Sequence, residues 1–289
     1  MELIFAAALC SVLVSILLKV CKTRGFDTLQ MIACNYISAS LLAYFWFEPD
    51  FQHLSVIETP WWLIVALGLL LPGVFVALSQ ALQNAGILKT EIAQRLSVVW
   101  SLLAAFLIFQ EQFNLFKLLG IALGIAGVLL ILLGKTTQVI DHEAKYAAIR
   151  PLLVVWLGYA LIDVLLKYTT SLGLQFSLAL NLIFICAWLF ASTYISLSKK
   201  HLWNHQSILA GLGLGIVNFA NIALYVKAHM LFKATPALVF AGMNLLVVLL
   251  GVGAGLVFFK ERLSLTSTFG LILGVAAIFC LTFAMSLPA

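Results

Sequence analysis

The chain of 289 residues is 64% hydrophobic and only 9% charged, whereas a soluble domain carries about a quarter charged residues, so its main solvent must be lipid. The formal charge of +5 comes from 16 basic and 11 acidic residues dispersed between apolar runs; this suits membrane-flanking loops and excludes a nucleic-acid groove. The five cysteines (Cys10, Cys21, Cys34, Cys186, Cys280) show no CxxC or Cys/His spacing, which excludes a disulfide framework or zinc site as the organising element.

A helix needs about 20 apolar residues to cross roughly 30 Å of hydrocarbon. On that ruler ten spans follow in order, near 2–20, 29–47, 61–85, 88–109, 113–134, 151–170, 175–197, 207–231, 235–259 and 264–286. The first run begins at Leu3 without a basic leader and is read as a span, not a removable signal. Pro60, Pro151 and Pro236 mark helix starts, and Trp61 and Trp62 suit the membrane interface. Strand-like alternation is too short anywhere for a transmembrane barrel. The expected fold is an all-α integral membrane protein of ten transmembrane helices.

The run "FQEQFNLFKLLGIALGIAGVLL" from Phe109 is echoed by "FKERLSLTSTFGLILGVAAIFC" from Phe259. At one offset Glu111 meets Glu261, Leu115 meets Leu265, Gly120 meets Gly270 and Gly124 meets Gly274. Near the start of each half "ILLKV" faces "VLLKY", so that Lys19 answers Lys167. The chain therefore parses into two five-helix repeats, 1–140 and 141–289. Because five is odd, the second half enters the membrane from the opposite side. Such inverted repeats belong to alternating-access transporters, whose site lies at the shared midplane.

Ten spans with a glutamate turn between the fourth and fifth of each half resemble the drug/metabolite transporter superfamily, and within it the EamA-type permeases. The stretch "ALQNAGILKTEIAQRLSVVWSLLAAFLIFQEQF" (81–113) is similar to that family's signature. The likeness covers essentially the whole chain and is strongest at 81–130 and 228–280. Gln110 and Lys260 stand where the family commonly has glycine, and Gln94 and Arg95 where it is mostly apolar. The resemblance implies transport, a bacterial inner (plasma) membrane location, and a scaffold of spans four, five, nine and ten.

Ionisable and polar residues within spans are costly and mark function or interhelical contact. In span six, Tyr159, Asp163 and Lys167 fall on one helical face, either as a cavity wall or as an Asp–Lys pair with Lys167 reaching the surface. Glu91 and Arg95 form an i,i+4 pair at the start of span four, in the favourable order; they either anchor the span in the headgroup region or, with Arg95 inward, suit a cargo carboxylate or phosphate. Asn218, Asn221 and Tyr225 line one face of span eight, with His229 a turn further on. Gln80 and Gln83 occupy the comparable region of span three, Asn244 lies in span nine, and Trp100 is either a packing residue or a stacking surface for cargo. Glu111 and Glu261 read as turn residues favoured by the dipole of the helix that follows. His201 and His205 lack the further ligands a metal site needs. No cofactor motif is present.

Lys22, Arg24, Lys135, Lys145, Arg150, Lys199, Lys200, Lys260 and Arg262 follow spans one, five, seven and nine. The positive-inside rule then leaves both termini outside, whereas the family resemblance implies cytoplasmic termini. No GxxxxGK[ST] motif exists, which excludes ATP hydrolysis through a P-loop. The expected activity is secondary active transport of a small polar or zwitterionic, amino-acid-like metabolite, by a monomer or weak homodimer. Asp163 and Glu91 suggest a coupled proton. The alternatives are an exporter of organic cations or drugs and, with thinner support from His201, His205, Asp141, His142 and Glu143, a membrane-embedded enzyme.

Overall fold

A computed structural model describes residues 2–52, 54, 57–109, 114–133, 142–198, 203–232, 236–262 and 264–286. They form eleven α-helices: α1 (Glu2–Thr23), α2 (Thr28–Phe47), α3 (Trp61–Asn84), α4 (Ile87–Arg95), α5 (Val98–Phe109), α6 (Leu115–Leu133), α7 (His142–Ser171), α8 (Phe176–Leu197), α9 (His205–Leu231), α10 (Pro236–Val257) and α11 (Leu265–Ser286). No strand occurs among the described residues. Gln110, Glu111, Lys135, Asp141, Lys199, Lys200 and His201, on which sequence-based expectations rest, lie outside them.

Six helices (α1, α3, α7, α8, α9 and α11) are long and apolar enough to cross a membrane, and α6 and α10 contribute shorter apolar segments. The molecule is an all-α integral membrane protein. Two expectations are corrected. The fourth predicted span is two helices, α4 and α5, interrupted at Leu96–Ser97. Pro151 lies inside α7, because the helix begins at His142 ahead of the apolar run; Pro60 and Pro236 do stand at helix starts.

Local chemistry sets the starts. Asp27 Oδ1 accepts the amides of Leu29 (2.9 Å) and Gln30 (3.3 Å) ahead of α2, and Asn204 Oδ1 accepts that of Gln206 (3.0 Å) ahead of α9, satisfying first-turn donors that lack helical partners. The same two loops are tied together: Asp27 N–H donates to Ser207 Oγ (2.9 Å), and Asn204 N–H to Gln30 Oε1 (2.8 Å).

Packing follows a pattern that survives exchange of the two halves. α6 lies on α11 and α2 on α8; α2 meets α9 as α8 meets α3; α1 meets α9 as α7 meets α3; and α1 meets α10 as α7 meets α4 and α5. Glycines allow the closest crossings, where lipid gives helices no hydrophobic reason to associate and backbone approach must supply contact. A Cβ added at Gly215 of α9 would sit 2.4 Å from the Asn35 carbonyl oxygen of α2, and one at Gly270 of α11 2.7 Å from that of Gly127 of α6. At Gly68 of α3 the obstacle is Cys186 of α8. The core of the bundle is filled by Tyr36, Phe75 and Phe184, with Tyr36 ring centroids 6.1 and 5.9 Å from the other two.

Candidate functional site

The break between α4 and α5 positions the site. Leu96 N–H still bonds back to the Ile92 carbonyl at 2.9 Å, but Ser97 Oγ donates to the Gln94 carbonyl at 2.7 Å, a local bond that competes with the helix. The Leu96 carbonyl accepts the indole N–H of buried Trp156 on α7 at 3.0 Å. Trp100 then packs edge-on against Trp156, centroids 5.6 Å apart. A backbone group exposed by unwinding is thereby satisfied inside the protein, the condition for irregular backbone at membrane depth.

Around this break lies a cavity of about 730 Å³. It is bounded by the first halves of α3, α8 and α10, the second halves of α7 and α9, and the break itself. Its polar lining is Gln94, Arg95 and Ser97 from the break, Tyr159 and Asp163 from α7, Asn221, Tyr225 and His229 from α9, and Asn244 from α10. The rest is apolar and aromatic, including Leu67, Phe176, Phe184 and Phe240.

Arg95 reaches across α4 to donate from Nη2 to Ser11 Oγ of α1 at 2.5 Å, and its buried Nε has no hydrogen-bond partner. Asp163 is exposed to the cavity and accepts from Ser101 Oγ at 3.2 Å. The buried Asn221 Oδ1 has no partner. Tyr225 and His229 meet edge to face, centroids 4.6 Å apart. An apolar enclosure with one cationic group, one anionic group and convergent amides is the chemistry of a small-molecule site.

Comparison with known proteins places the chain in a family. Residues 2–133 match the model of the EamA-like transporter family. The chain is also 42% identical over 287 residues to an uncharacterized protein of Haemophilus influenzae, covering 97% of each chain. The chain belongs to the EamA-like transporter family. Membership identifies a membrane protein of the drug/metabolite transporter type.

Within this EamA-like bundle the structure brings together Arg95, Tyr159, Asp163, Asn221, Tyr225 and Asn244 and leaves the other sequence candidates elsewhere. Lys167 lies one turn past Asp163, exposed and outside the lining. Asn218 turns away to donate to Asn35 Oδ1 of α2 at 3.1 Å. Gln83 donates to the Lys19 carbonyl at 2.8 Å, and Gln80 is exposed, also outside the lining. Trp100 serves the aromatic pair described above. Glu91 is only 1% exposed and accepts from Ser15 Oγ of α1, so the expected Glu91–Arg95 ion pair is replaced by two serine contacts to α1. Ser11, Ser15, Ser101 and Trp156 were not singled out from the sequence. The i,i+4 spacing of Ser11 and Ser15 in an otherwise apolar span was the available signal for that pair.

Glu261 also departs from expectation. Its carboxylate does not serve α11, the helix that follows, but accepts the amides of Ile87 (2.8 Å) and Leu88 (3.1 Å) at the start of α4. Lys19 of α1 donates to the same carboxylate at 2.5 Å and lies 4.5 Å from the Phe259 ring centroid. Gly86, at φ +90°, precedes the capped amides, and a Cβ on it would lie 2.6 Å from the carboxylate oxygen. The second half of the chain thus caps a helix of the first half. This clasp gathers the ends of α1, α3 and α10 with the start of α4, at the end of the bundle opposite the cavity, which lies by the starts of α3 and α10.

Proposed function

We propose that the chain is a secondary active transporter that moves an amino-acid-like zwitterion by alternating access through ten crossings, arranged as inverted repeats 1–140 and 141–289. The observation carrying this reading is the cavity with Arg95 and Asp163 on different helices. A free α-carboxylate is matched by the guanidinium fork, and an ammonium by the Asp163 carboxylate. Asn221, Asn244 and the two tyrosines supply neutral hydrogen bonds, and the aromatic wall accommodates a side chain. The exchange-symmetric helix packing and the pairing of Glu111 with Glu261 in the sequence support the inverted repeat. The interrupted fourth span at the cavity fits the broken helices that build midplane sites in such repeats. In this arrangement the Glu261 clasp seals one end while the other stands open.

Screening the purified protein by thermal shift against the twenty proteinogenic amino acids, their carboxamides and a set of organic cations tests the cargo class. An α-amino acid is expected to raise the melting temperature, in line with about 2.7 kcal/mol at a hundredfold excess over Kd, and its carboxamide to do so much less. Stabilisation by organic cations alone would replace this reading with a cation exporter. The hit should then exchange across proteoliposomes without ATP.

The basic residues Lys22, Arg24, Arg150, Lys260 and Arg262 flank the clasp end of the bundle. With that end cytoplasmic, the cavity opens outward and both termini lie outside. A phosphatase reporter, active only outside the cytoplasm, is expected to be active when fused to the C-terminus. A cytoplasmically folded fluorescent fusion instead would invert the assignment.

A further inference from the structure

Glu91 takes no part in lining the cavity, yet it is a carboxylate 1% exposed in the middle of α4. Ser15 Oγ donates to its Oε1, while the buried Oε2 has no hydrogen-bond partner. Gly251 of α10 is seated against it, so that a Cβ there would lie 2.8 Å from Glu91 Cγ. Facing it from α1 is Ser15, with Lys19 a turn further on and bound to Glu261. α3, α10 and α11 carry no charged residue, and α6, which also packs on α4, carries only Lys117 in its first turn. α7 brings Tyr159 and Asp163 to the cavity side. On α4 itself stand Lys89 and Arg95, and Arg95 is bonded to Ser11 instead. A bare carboxylate with an unpartnered oxygen and no ion pair is disfavoured in such surroundings, and a neutral acid is not.

We infer that Glu91 is a proton-binding site, separate from the cavity, whose occupancy decides whether Arg95 is available to cargo. With the proton bound, Glu91 stays on Ser15 and Arg95 stays at the cavity wall, as observed. When the proton passes to water, the ionised carboxylate and the guanidinium one turn along α4 are in the favourable order for pairing. The buried Glu91 Oε2 and Arg95 Nε, both without partners, are the atoms left to meet. Pairing withdraws Arg95 from a cargo carboxylate. Proton and carboxylate-bearing cargo therefore bind cooperatively, and by reciprocity each strengthens the other. The coupling is of symport sign.

The second step rests on the cargo reading above; the first does not, and the experiment separates them. Infrared difference spectra of the wild-type protein between acidic and alkaline buffer are expected to show a carboxylic-acid carbonyl band that Glu91→Gln removes and Asp163→Asn leaves. A band unchanged in E91Q, or removed only by D163N, overturns the proton site whatever the cargo. For the amino acid that stabilises the protein, wild-type affinity is expected to rise as pH falls, by up to about tenfold per pH unit. E91Q, fixed in the neutral form, is expected to bind with wild-type acidic affinity at every pH and to exchange cargo without responding to a pH gradient. A pH dependence that persists in E91Q defeats the coupling. If no amino acid binds but the band behaves as expected, the proton site stands and the cargo reading falls.

Discussion

Replacing Glu261 with alanine is expected to cost about 3–5 kcal/mol of stability, the range for removing one partner of a buried ion pair, and to unseat α4. The clasp has three donors and one acceptor group: Lys19 Nζ and the amides of Ile87 and Leu88 all converge on this carboxylate. Both charged side chains are largely buried, 14% exposed for Lys19 and 17% for Glu261, so neither recovers its lost partner from bulk water. The amides belong to the first turn of a helix of only nine residues, where the unsatisfied donors and the positive end of the dipole coincide. Lys19→Met should cost much less, because the carboxylate keeps its two amides and loses only the ammonium. Glu261→Gln should fall between them, since a carboxamide oxygen accepts but carries no charge. Adding K19M to E261Q should recover part of that loss by removing a stranded cation. Thermal unfolding in one detergent ranks the four variants. If K19M is as damaging as E261A, the carboxylate serves the lysine and not α4, and the cap is incidental.

The membrane solvent made most of the helices legible. Each span must satisfy its backbone internally and present about 20 apolar residues, so composition alone marks nearly every helix within a few residues. It fails at 88–109, where hydropathy continues through Leu96 and Ser97 while the helix does not. The stabilising partner of that interruption is Trp156, sixty residues further along the chain, and no local pattern announces it. The cavity was partly legible for a similar reason. Helical periodicity places Asn218, Asn221 and Tyr225 on one stripe, but Asn218 meets Asn35 of α2 while Asn221 and Tyr225 line the cavity; which part of a polar stripe faces a neighbour is decided by packing. Glu91 and Arg95 show the same limit. Their i,i+4 spacing suggests a pair, and only the approach of α1 with Ser11 and Ser15 reveals that each charge has another hydroxyl within reach.

Arg95→Ala is expected to weaken binding of the carboxylate-bearing cargo by about 2–5 kcal/mol, from roughly 30-fold to a few thousandfold in Kd, the usual cost of truncating one partner of a buried, hydrogen-bonded charge pair. Among the described lining residues Arg95 is the only basic side chain apart from His229. Its position is prepared: the guanidinium is anchored through Nη2 on Ser11 at 2.5 Å and stands next to the break that Trp156 holds, so little rearrangement opposes a second, bidentate contact. Arg95→Lys keeps the charge but cannot present two parallel donors, and should recover only part of the loss. The decisive readout is a ratio. In the wild type the free amino acid should be preferred over its carboxamide, and in R95A that preference should collapse while carboxamide affinity stays nearly constant. Equal weakening of both would mean that Arg95 shapes α4 without touching cargo. The carboxylate would then have to be recognised from another wall of the cavity, where the described lining offers only His229 as a basic group.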